Sequence, residues 1–168
     1  MTSWKDLVTA LDLKPHPEGG FYKESYRAEG MIPASALKRT RHKDARQFST
    51  AIYYLLPAGT RSKLHRLASD ELFHFYLGGP MTLLLLGPKG QVEFVRLGPD
   101  LAAGMKVQQV VRAGWWFGGF CEDGSPYSLV GCTVAPGFDF ADFELGDEQA
   151  LLARYPAAAD AIGRLSRD

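Results

Sequence analysis

The residues best suited to chemistry are an imidazole and a carboxylate, His65 and Glu71, in the stretch GTRSKLHRLASDELFHFYLGG. An imidazole beside a carboxylate is an acid–base pair, in which the carboxylate sets the imidazole pKa. The same two groups also suit zinc, iron, manganese or nickel. Alternate residues of a strand point to one side. His65 and Leu67 therefore share a face, expected to be the inner one, and Glu71 begins the next strand opposite them. Leu67 stands where a second imidazole would extend a metal site, and catalytic metal sites usually take three protein ligands. His74 follows Glu71 by an odd offset, which places it on the opposite face unless a bulge turns it inward. The expectation is therefore no metal; if one binds, its ligands are His65, Glu71 and His74. A buried Glu needs a partner, and His65 is the expected one.

These groups need a scaffold, and the chain reads as short strands. FYKESYR, STAIYYLL, SKLHRL, ELFHFYL, MTLLLL, VEFVRL, KVQQVVR, WWFGGF and YSLVGCTVA are rich in β-branched and aromatic residues. Turn signals such as LLPAGT, GGP, GPKG, LGPD and EDGSP separate them. Short strands at near-regular spacing predict an all-β sandwich or barrel. A short helix is expected at the N-terminus, where Ser3 can cap and Trp4, Leu7, Val8 and Leu11 recur at helical spacing. Pro15 and Pro17 stop it. A helical tail is expected over 147–166, with Asp147 as cap and Pro156 opening a second piece.

At 168 residues with zero formal net charge, the chain suits one domain, with a barrel core over about 18–145. Neutral charge gives no general argument for nucleic acid or an anionic membrane. Cys121 and Cys132 are too few for a disulfide scaffold and read as buried, reduced thiols. The N-terminus carries no secretory signal and the longest apolar run is too short to span a bilayer, so a soluble cytoplasmic protein is expected. One segment differs: Lys38, Arg39, Arg41, His42, Lys43 and Arg46 stand against only Asp44. It reads first as a solvated loop joining two strands and second as a basic lip for an anionic ligand.

The spacing Gly59, His65, Leu67, Glu71, Gly78 resembles the first motif of the cupin superfamily, with Leu67 at the second His. In RAGWWF, the counterpart of the second motif, Phe117 stands at the remaining His. A narrower resemblance rests on HPEGGFYKESYR, STAIYYLL, DELFHFYLGG, VVRAGWWFGGF and YSLVGCTVAPGFDFADFEL. Together these look like the cupin family DUF985, or Cupin_5, over roughly Trp4 to Leu145. The resemblance implies a double-stranded β-helix with jelly-roll topology, usually a homodimer, and no settled reaction. It implies a likeness in fold to metal-free sugar-nucleotide epimerases and to small-molecule-binding cupins. Its pattern includes Glu18, Gly19, Gly20, Arg27, Ser49, Thr50, His65, Asp70, Glu71, His74, Gln108, Gly114, Trp116 and Phe117. Gly19 and Gly20 allow a sharp turn or a close backbone approach. Gln108 can donate and accept inside a barrel, and Trp116 and Phe117 can wall a pocket or pack in the core.

Three functions are compatible with these residues. The first is a metal-independent isomerase or epimerase of a small polar metabolite. His65 would be its base beside Glu71, with Tyr54, Tyr76 or Tyr127 as acid. The second is a non-catalytic small-molecule-binding module, in which Glu18, Ser49, Thr50, His74, Gln108, Trp116 and Phe117 join the pair in holding the ligand. The third is a metal-dependent cupin enzyme with a reduced ligand set.

Overall fold

The structure is a computed structural model that describes residues 3–38 and 40–166. The elements run in chain order from helix α1 (Trp4–Ala10) through strands β1 (Lys14–Pro15), β2 (Phe21–Arg27), β3 (Met31–Ile32), β4 (Arg46–Gln47) and β5 (Thr50–Pro57). Strands β6 (Arg61–Arg66), β7 (Asp70–Gly78), β8 (Met81–Leu86), β9 (Val92–Leu97), β10 (Gln108–Val111), β11 (Trp116–Cys121), β12 (Tyr127–Ala135) and β13 (Glu144–Leu145) follow. Helices α2 (Glu148–Arg154) and α3 (Ala159–Ser166) close the chain. All nine runs read as strands from the sequence are strands. The two-residue strands β1, β3, β4 and β13 carry no apolar alternation and were not legible there.

Two antiparallel sheets face each other. One has the order β1-β2-β5-β12-β7-β10 and the other β13-β6-β11-β8-β9. Alternation along each strand sends one set of side chains between the sheets. Tyr54, Leu56, Phe73, Leu83, Leu85, Phe117, Val130 and Cys132 meet there. The β8 run MTLLLL is apolar on both sides because both of its faces are covered. Leu83 and Leu85 point between the sheets, while Leu84 and Leu86 pack outward against Leu151, Tyr155, Ile162 and Leu165 of the C-terminal helices.

Helix α1 begins with a reciprocal cap: the Ser3 hydroxyl accepts from Asp6 N–H, and the Asp6 carboxylate accepts from Ser3 N–H. Its Leu7 packs with Leu13, Leu55, Tyr127 and Leu129 over the far end of the larger sheet. The tail follows its caps. Asp147 accepts from Ala150 N–H, and Pro156 opens a short 3-10 turn ahead of α3. No helix among the described residues is long and apolar enough to cross a membrane.

Candidate functional site

The turn between β1 and β2 folds into the mouth of the barrel. His16 N–H donates to Gly20 O, Gly19 N–H to His16 O, and Lys63 N–H on β6 to Glu18 O. Gly19 has φ +113°, and a Cβ there would lie 2.1 Å from Arg61 O. Only glycine lets the turn come this close to β6. This approach carries the Glu18 side chain inside, where it is buried.

Glu18, and not Glu71, is the partner of His65. His65 Nδ1 lies 2.7 Å from Lys63 O. A carbonyl only accepts, so Nδ1 carries the proton and Nε2 presents its lone pair. Nε2 is 3.0 Å from Glu18 Oε2, and Glu18 Oε1 accepts from Ser62 Oγ at 2.9 Å. One proton is therefore shared between Glu18 and His65. Burial takes His65 down to about 3, and burial, with the nearby Glu71 adding to it, pushes Glu18 well above the usual carboxylate range. Both causes place the proton on Glu18, as a neutral carboxyl donating to His65 Nε2. Phe117 packs on the His65 ring at 4.0 Å between centroids, and Phe143 stacks on it at 5.2 Å.

Glu71 stands alone. Its Oε2 is buried and has no hydrogen-bond partner among the described residues. The Cys132 thiol bonds to its carboxylate, and burial pushes Glu71 up to about 8. Glu71, Glu18, His65 and Thr50 line a cavity of about 550 Å³, together with His16, Tyr54, Leu67 and Cys132. Tyr22, Phe138, Phe140 and Phe143 give the cavity an aromatic wall, and Lys14, Lys23 and Arg27 stand with Asp12, Glu24 and Asp139 around it. Lys23 is paired with Asp12 and Arg27 with Glu24. The Tyr54 hydroxyl donates to Gly19 O at 2.8 Å.

The strap that carries Phe143 is fixed on both sides. Asp142 holds the buried Arg46 through two bonds of 2.6 and 2.8 Å, and Glu144 holds Arg66 through two bonds of 2.8 and 2.9 Å.

Several residues expected at the pocket lie elsewhere. His74 is on the outer face of the larger sheet, where Nε2 meets Thr133 Oγ1 at 3.1 Å and the Gln108 amide meets Nδ1 at 3.2 Å. Gln108 is thus outside the barrel and exposed. Ser49 donates to Val134 O and does not line the cavity. Trp116 points away from Phe117, its neighbour on β11, and stacks under Arg66 at 4.4 Å. Phe117 is buried in the core, touching His65. Tyr76 is half exposed, and Tyr127 is buried beneath α1. Asp70 accepts from Ala113 N–H and pairs with Arg112.

Sequence reasoning missed His16, a second buried imidazole on the cavity wall. Its Nδ1 accepts from Glu18 N–H, and burial takes it down to about 4. The signal was present: a His between two prolines, two residues before Glu18 and a double glycine, marks a turn whose side chains are held close together.

The donor set does not fit a metal. Among the described residues no three His, Cys, Asp or Glu side chains converge to hold an ion. Both nitrogens of His65 are engaged, Leu67 and Phe117 stand at the positions of the missing imidazoles, and His74 faces away. Comparison with known proteins gives the family. The family described as Cupin superfamily (DUF985), or Cupin_5, matches residues 5–146. The chain belongs to this cupin family. An X-ray structure of a Shewanella oneidensis protein is 41% identical, covers 99% of each chain and superposes with a TM-score of 0.87. An uncharacterized Saccharomyces cerevisiae protein is 31% identical over 149 residues, 84% of this chain and 74% of that one. A cupin 2 domain-containing protein from Halorhodospira halophila, at 15% identity, shares the fold with a TM-score of 0.56, over 92% of this chain and 88% of that one. DUF985 membership brings the cupin barrel with it, here with a carboxyl–imidazole pair in its cavity.

Proposed function

We propose that the barrel cavity binds a small polar metabolite and moves a proton on it without a metal, as an isomerase or epimerase. The observation that carries this reading is Glu71, a carboxyl buried in the cavity wall with an unpartnered oxygen. Native structures seldom leave such a group unpaired, and those that do commonly use it. Its pKa of about 8 leaves it protonated but close to release at neutral pH, which suits an acid–base catalyst. Glu71 takes the acid–base role, giving its proton to a ligand oxygen or taking one from an adjacent C–H. His65 acts through Glu18 as a positioning residue. The aromatic wall suits the flat face of the ligand.

A screen of polar metabolites by thermal shift supplies a binder, and NMR in D2O then follows its C–H groups. The expected result is deuterium incorporation with wild-type protein and none with Glu71→Gln, while binding stays within a few-fold. A tight binder that exchanges no hydrogen with either protein overturns the enzymatic reading.

A non-catalytic binding module is the second reading. It is favoured by the engagement of both His65 nitrogens and of the Tyr54 hydroxyl with the protein itself. That reading predicts saturable binding with no exchange.

We also infer a homodimer through the outer face of the larger sheet, where His74 meets Gln108 and Thr133 and the Tyr76 ring meets Tyr53. Tyr76, near the end of β7, is 47% exposed, and its ring meets that of Tyr53 at 6.2 Å between centroids. Light scattering checks it: a dimer that Tyr76→Glu converts to monomer supports this contact, and a wild-type monomer refutes it.

A further inference from the structure

The basic segment is not a free loop. His42 Nε2 bonds to Ser69 Oγ at 2.7 Å, and the Ser69 hydroxyl donates to Pro136 O at 2.7 Å. Arg46 is buried against Asp142. Asp44 accepts from Ala45 N–H in its own turn. Arg39 lies outside the described residues.

Tied down at these points, the segment forms one wall of a second cavity of about 330 Å³, lined by Arg41, Lys43, Arg66, Asp142 and Glu144 beside Phe143. The carboxylates there are already committed, Asp142 to Arg46 and Glu144 to Arg66. Arg41 and Lys43 are left, and neither side chain has an ion pair or hydrogen bond among the described residues. Arg41 is nonetheless seated. Its guanidinium lies 2.7–2.9 Å from where a Cβ on Gly114 would sit, so the missing side chain of Gly114 makes the hollow that receives it. Arg66 is held likewise, by Trp116 beneath it and Glu144 beside it.

We propose that this second cavity is a binding site for a phosphate-type dianion, held by Arg41 and Lys43 with Arg66 at its edge. Two uncompensated positive charges match two negative ones. The Arg41 guanidinium, lying against Gly114 and open to solvent, offers a fork of N–H donors in the geometry that phosphate oxygens accept. The site is separate from the barrel cavity, and Leu67 and Phe143 form the wall common to both. It therefore stands or falls independently of any chemistry at Glu71.

The test is isothermal titration calorimetry at constant ionic strength, with inorganic orthophosphate and glycerol 3-phosphate as parallel probes. The proteins are wild type, the double variant Arg41→Gln/Lys43→Gln, and Lys89→Gln as a remote charge control. The expected result is saturable binding to wild type and to Lys89→Gln, weakened at least about tenfold in the double variant, as the loss of a charge-assisted bond implies. Tighter binding of the ester assigns the site to a phosphorylated metabolite, and equal binding assigns it to free phosphate; both support the proposal. Equal affinity in wild type and double variant, or no saturable heat in wild type, overturns it. Both substituted residues are exposed, so unfolding does not confuse the readout.

Discussion

Glu18 Oε2 and His65 Nε2 lie 3.0 Å apart with a single proton between them, and the Lys63 carbonyl fixes which imidazole nitrogen lacks one. A neutral pair and an ion pair predict different responses to Glu18→Gln. An amide in place of a neutral carboxyl still donates to Nε2 and still accepts from Ser62, so Glu18→Gln is expected to cost no more than about 1 kcal/mol, whereas Glu18→Ala strands both partners at about 1–3 kcal/mol each. Urea denaturation reads both variants. Nitrogen-15 NMR of the His65 ring should show Nδ1 protonated, Nε2 bare and no titration between pH 5 and pH 8.

Stability should fall on both sides of a weakly acidic optimum. Glu71 keeps its proton in the fold to about pH 8, whereas the unfolded carboxyl loses it near 4.5. The folded state holds the extra proton across that window, so the contribution of Glu71 is complete below it and lost as pH rises through 8. His16 behaves in the opposite sense. It stays neutral in the fold down to about 4 but protonates near 6.5 when unfolded, so its contribution is present above 6.5 and lost as pH falls towards 4. Each limb is worth a few kcal/mol. Melting temperature measured against pH checks this, and Glu71→Gln should reduce the alkaline slope, the remainder coming from Glu18, while leaving the acid limb unchanged.

Gly19→Ala should be severe. The added methyl meets Arg61 O at 2.1 Å and the backbone sits at φ +113°. The turn has to withdraw from β6, taking Glu18 from His65. A loss of more than about 3 kcal/mol is expected, and the nitrogen-15 signal of His65 Nε2 should shift as its hydrogen bond to Glu18 is lost. Normal stability with an unchanged His65 signal would contradict this account of the turn.

Removing one partner of the buried Arg46–Asp142 pair leaves an uncompensated charge. Asp142→Ala should cost about 3–5 kcal/mol, whereas the apolar pair Arg46→Met/Asp142→Leu should recover most of it. Fluorescence-monitored denaturation distinguishes the two, since additive losses would mean that the pair is not coupled.

Strand periodicity made the barrel readable, because each sheet buries one face and alternation records which. The site was less readable. That Glu18 reaches His65 depends on a turn folding into the barrel mouth, and no local spacing reports such an approach. Trp116 and Phe117 read together as pocket wall or core, although adjacent strand residues point to opposite faces; parity alone separates them. Gln108 failed for a related reason. Its face depends on the register of β10 against β7, which pairs it with His74, and a single strand does not carry that information. Leu67 and Phe117, where imidazoles were sought, were legible by identity alone.

The family match ends at residue 146, but the hydrophobic layer over β8 does not. Leu84 and Leu86 are sealed by side chains from 151 to 165. What is inherited as a recognisable pattern is thus shorter than what folds as a unit. A gene fragment cut at the pattern's edge would encode a barrel with an adhesive leucine ladder on its outside, prone to stacking with its own copies. Laboratories that trim this chain for expression should keep the helices.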